Sequence, residues 1–126
     1  MRYDPVFLVC DVRCPSPEEA RRILDAVRKQ TEADAVMIVE RVSAGAAEQI
    51  CYRIGDFFSE ILILPELHGD PSAFRLVFHR HPQAGRFWKD IWVRIIRSVE
   101  EAGPNISVKL TYKGDECLDW SHLMPA

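Results

Sequence analysis

A chain of 126 residues falls in the range of one ordinary domain, long enough to bury most of the surface that its unfolded form exposes. With 48% hydrophobic and 28% charged residues, neither a disordered nor a fibrous chain fits. Lys and Arg number 16 against 19 for Asp and Glu, and a formal charge of -3 gives no reason to invoke nucleic acid or a membrane surface as partner.

A single domain over residues 1–126 is therefore expected. The first apolar run, Val6, Phe7, Leu8, Val9 and Cys10, is far shorter than a signal-peptide core or a membrane span, which suits a cytoplasmic protein. Cys10, Cys14, Cys51 and Cys117 then read as four reduced thiols rather than two bridges. The run is rich in β-branched and aromatic residues and predicts a central strand buried on both faces. Pro15 and Pro17 end it. Ser16 can cap a helix that Pro17 begins and Glu19 completes as a capping box. Ala20, Ile23, Leu24, Val27 and Thr31 recur at helical spacing and face the sheet, while Arg21, Arg22, Asp25, Arg28 and Lys29 face water.

Residues 35–42, with Val36, Met37, Ile38 and Val39, predict a second strand. In residues 43–65 two patterns compete. Ala47, Ile50, Cys51, Ile54, Phe57, Phe58 and Ile61 fit a helical stripe, the preferred reading, although Gly55 inside it costs about 1 kcal/mol. The alternative is a hairpin turning at Gly55 and Asp56. Residues 65–72 gather Pro, Gly and Asp into a loop, and Phe74, Leu76 and Phe78 then share one face of a strand. A second amphipathic helix over residues 86–102 carries Phe87, Trp88, Ile91, Trp92, Ile95, Ile96 and Val99, and Gly103 with Pro104 stops it. Ile106, Val108, Leu110 and Tyr112 alternate with polar residues in a last strand. With residues 43–73 set aside as an inserted helix or hairpin, the order is β-α-β-β-α-β: an α+β, ferredoxin-like arrangement with helices on one face.

The chain carries no G-x-G-x-x-G or P-loop, no G-x-S-x-G elbow and no H-E-x-x-H helix, so an enzyme is the less favoured reading. Cys10 and Cys14 lack the second Cys or His pair of a finger-like zinc site, and neither metal nor cofactor is expected. His79 and His81 point to one side of an extended chain, with His68 in the preceding loop; a metal or acid-base role competes with a plain solvated strand end, which is preferred. Cys14 sits just before a helix N-terminus, where the dipole favours a thiolate, yet an ordinary loop thiol is the simpler reading. Phe87, Trp88 and Trp92 read as core. Arg86, Lys89, Arg94 and Arg97, relieved by Asp90, read as a solvated basic strip.

The least generic segment runs Gly114-Asp115-Glu116-Cys117-Leu118-Asp119-Trp120, three carboxylates around an aromatic. Complementary charge speeds encounter with a basic surface and an aromatic anchor supplies affinity, so Asp115, Glu116, Asp119 and Trp120 are the candidate partner-binding residues. The expected function is a small cytosolic protein-binding module, an inhibitor or an immunity-type protein for a bacterial toxin. The alternative is a small-molecule-binding domain or small dimeric enzyme with a cleft near His68, His79 and His81.

Overall fold

The computed structural model describes residues 6–80, 87–112 and 115–116. Strand β1 (Val6–Arg13) leads into helix α1 (Pro17–Glu32), whose start is built as its sequence dictates. The Ser16 side chain accepts a hydrogen bond from the Glu19 amide at 3.2 Å, and Pro17 occupies the first turn. Ala20, Ile23, Leu24, Val27 and Thr31 are all buried. A 3-10 turn (Ala35–Met37) follows, then β2 (Ile38–Ala44), β3 (Ala47–Ile54), β4 (Phe57–Pro65), β5 (Ala73–Arg80), α2 (Phe87–Glu100), β6 (Ser107–Tyr112) and the short β7 (Asp115–Glu116).

The seven strands form one sheet in the order β2-β3-β4-β5-β1-β6-β7, with every neighbour antiparallel. The fold is α+β. Between the helices, however, lies a four-stranded meander where a ferredoxin-like unit has two strands, so the expected strand order is not met. The helical stripe in residues 43–65 is likewise overturned: β3 and β4 pair around Gly55 and Asp56, and Gly55 holds φ +60, a conformation open to glycine without strain. That stripe mixes two faces. Ile50 and Ile61 point into the core, whereas Cys51 and Phe58 do not, and the true period is two.

Both helices cover the same face of the sheet. Leu8, Cys10 and Val12 of β1, Ile50 and Tyr52 of β3, Ile61 and Ile63 of β4, and Phe74, Leu76 and Phe78 of β5 join Ile23, Val27, Trp92 and Ile95 in one core cluster. The Phe78 and Trp92 rings meet at 5.4 Å between centroids. Strand β1 has neighbours on both edges, but among the described residues only one of its faces is fully buried, since Val9 and Asp11 are half-buried; the expectation of burial on both faces is corrected. The strand expected over residues 35–42 begins at Ile38 and is an edge strand whose Val39 and Val42 are exposed. Among the described residues no helix is long and apolar enough to cross a membrane.

Candidate functional site

On the face of the sheet turned away from the helices the described residues are half-buried or exposed, apart from Ala73 at the start of β5. Register builds it row by row. Val42, Gln49, Leu62, Val77, Val9, Thr111 and Glu116 stand opposite one another from β2 across to β7, giving a half-buried aliphatic centre at Leu62, Val77 and Val9. Ion pairs flank it on either side. Arg75 grips Asp11 with two bonds of 2.6 and 2.9 Å, and His79 Nδ1 lies 2.9 Å from Glu60 Oε1, with Gln49 donating to the same carboxylate. Burial pushes the Glu60 carboxyl up, but the bonds from His79 and Gln49 and the charge on His79 outweigh it, and the net shift is downward.

A carboxylate held below its unfolded value stabilises the fold above the ordinary glutamate range, and that contribution disappears as pH falls through the lowered folded value. Replacing Glu60 by Gln is therefore expected to flatten the loss of stability on acidification below about pH 4.3, the ordinary glutamate value. Urea denaturation across acid pH measures it, and unchanged acid sensitivity would reject this role for the pair.

Of the proposed partner-binding residues, Asp115 and Glu116 form β7, opposite Tyr112 and Thr111 of β6, so the acidic segment begins at the edge of the open face. Asp119 and Trp120 lie outside the described residues, as does His81. His68 and His79 are not brought together. His68 sits in the turn before β5, and His79 six residues into that strand, about 20 Å along it. Sequence spacing had paired His79 with His81; the neighbour that the sheet supplies is Glu60, from a strand whose register no local motif reveals.

Cys14 is half-buried, and its thiol is pushed up, by burial first and by Glu19 and Asp70 next, against the lowering charge of Arg22. That is the reverse of an activated nucleophile. Burial, with smaller contributions from Asp11 and Glu100, takes Cys10 up to about 12, and Cys51 is also raised. Arg94 does not belong to a solvated strip: it pairs with the buried Asp34 at the end of α1. Among the described residues no group of three or more His, Cys, Asp or Glu is placed to hold a metal ion.

A separate cleft of about 450 Å³ opens between α1 and the β2–β3 hairpin, floored by Ala20, Leu24 and Ala73 and walled by Arg28, Glu48 and Glu66. Its charges are mutually satisfied in part, since Arg28 binds Glu48 at 2.6 Å and Asp25 at 3.1 Å. His68 and His79 do not line it. No protein-family model, no curated protein and no solved structure matches the chain.

Proposed function

We propose that the chain is a small cytoplasmic protein-binding module, of the inhibitor or toxin-immunity kind, that engages a basic protein through Asp115, Glu116, Asp119 and Trp120. The observation that carries this reading is the uncovered sheet face: a half-buried aliphatic row at Leu62, Val77 and Val9 runs by register to the acidic β7 at its margin. An apolar centre with a charged margin is the anatomy of a protein-binding patch. The negative margin steers a cationic partner, while Trp120, four residues beyond Glu116, supplies the large apolar side chain that such patches use as anchor.

The reading predicts a one-to-one complex whose association slows as ionic strength rises. Trp120→Ala is expected to weaken it by about tenfold or more, equivalent to roughly 1.4 kcal/mol. Charge reversal of Asp115, Glu116 and Asp119 to Lys together is expected to act on the association rate above all. Native mass spectrometry and surface plasmon resonance on the tagged chain and its captured partner measure both. A complex indifferent to both variants removes the proposed surface.

A further inference from the structure

We propose that the outer edge of β2 is a self-association surface, at which two copies of the chain pair their β2 strands antiparallel about a two-fold axis through Val42. Among the described residues β2 has β3 on one side and ends the strand order on the other. Such an edge offers a row of unpaired N–H and C=O groups to another strand. Of the four exposed large hydrophobic residues among those described, three lie along it or in the turn before it: Val36 at 96% exposure, Val39 at 56% and Val42 at 43%.

Two features frame the edge. A bulge breaks the ladder between Ile38 and Glu40, and the Gly45-Ala46 turn closes it beyond Ala44, so the regular stretch is residues 40–44 with Val42 at its centre. Ala44 and Ala47 flank a two-residue turn, a pair that exchanges both of its hydrogen bonds. By alternation Glu40, Val42 and Ala44 turn their amides to β3, and Arg41 and Ser43 turn theirs outward. Two strands related by a two-fold axis through Val42 then exchange four backbone bonds, between Arg41 of one copy and Ser43 of the other, twice.

The side chains select this register. Centring on Glu40 would oppose two carboxylates, and centring on Arg41 two guanidinium groups, each a like-charge pair that destabilises a sheet. Centring on Ser43 runs the pairing into the turn. Centred on Val42, the two valines meet on the open face and Glu40 faces Ala44. On the helix face Arg41 of one copy lies opposite Ser43 of the other, and Ser43 is itself opposite Glu48. A long guanidinium side chain thus crosses a small hydroxyl toward a carboxylate two strands away, about 10 Å between strand axes. Glu48 already takes Arg28 at 2.6 Å, and among the described residues Arg41 makes a long 3.4 Å bond to Thr31 Oγ1. The contact is isologous and uses the β2 edge of each copy, so association through β2 closes at two copies.

The β2 edge and the acidic β7 stand at opposite ends of the sheet, and a Trp120→Ala chain is expected to dimerise normally whatever becomes of its partner. Sedimentation velocity is expected to show concentration-dependent dimers, weakened by about tenfold or more in Val42→Lys, which opposes two ammonium groups at the axis. Val42 is exposed, and a circular dichroism spectrum unchanged from the parent establishes that the variant folds. In a background with Cys14, Cys51 and Cys117 changed to Ser, Val42→Cys is expected to cross-link under mild oxidation, because a non-hydrogen-bonded pair brings Cα atoms to about 4.5 Å. Val39→Cys, far from its symmetry mate in this register, is expected not to. A parent chain that stays monomeric, a dimer indifferent to Val42→Lys, or a Val42→Cys dimer that fails to cross-link each overturns the proposal.

Discussion

Replacing Phe78 with Ala is expected to destabilise the fold by about 3–5 kcal/mol, the range for removing an aromatic side chain from a packed core. Phe78 is fully buried, stands between Ile61 of β4 and Leu8 of β1, and meets the ring of Trp92 on α2. It therefore joins three strands to a helix. Neighbours from a sheet cannot close on the space without breaking their ladders, so the cavity term is kept nearly whole. Against a total stability of about 5–15 kcal/mol, the loss corresponds to a fall in Tm of roughly 10–20 °C. Phe78→Leu, which keeps most of the volume, is expected to cost less than half as much. Urea denaturation with an unchanged m-value gives the measurement, and a loss below about 1 kcal/mol would show that Phe78 does not hold the layers together.

Arg94→Ala is expected to cost about 2 kcal/mol near neutral pH and much less in acid. Asp34 is 6% exposed, its carboxyl is pushed up by burial, and Arg94, whose charge and hydrogen bond pull it down, only partly offsets this. The Arg94 side chain is 40% exposed, which places the pair below the 3–5 kcal/mol found when one member of a fully buried pair is removed. The sign follows from the upward shift. A carboxyl whose folded value is raised favours the fold below the ordinary aspartate range, and that contribution is lost as pH rises through the folded value. Without Arg94 the folded value climbs further, so the variant gains more stability from this group on acidification than the parent does. The Arg94 Nε and the Trp92 indole N–H have no hydrogen-bond partner among the described residues, and both sit on this stretch of α2. A penalty for Arg94→Ala that is independent of pH would mean that packing of its methylene stem, not charge, is what the residue contributes.

The helices were legible because their signals are local. Ser16, Pro17 and Glu19 announce a start within four residues, and the stripe from Ala20 to Thr31 needs no partner to be seen. The hairpin turning at Gly55 and Asp56 was legible only as the second choice, since inward and outward residues of both strands fall by chance on a 3.6-residue stripe. Pairing resolves what periodicity cannot: it sets Ile50 opposite Ile61 and Cys51 opposite Glu60. The same limit hid the chemistry of the open face. Asp11 and Arg75 stand 64 positions apart, and Glu60 and His79 19 apart, so neither pair leaves a trace in either strand alone. The acidic segment was visible as composition, and β7 now gives its first two members a place at the sheet edge.

Strand order also sets a timetable for synthesis. β2, β3, β4 and β5 pair in sequence across short connections, and such contacts form early because little chain entropy opposes them. Among the described strands β1 is made before the others yet bonds only to β5 and β6, the nearer of which starts about 67 residues later, which at ribosomal rates is roughly 3–13 s. For that interval Leu8, Cys10 and Val12 have a nascent helix beside them and no sheet to enter. β1, rather than the meander, is then the strand that offers a chaperone most to hold, and a stall before residue 73 is expected to leave its apolar side chains without a sheet.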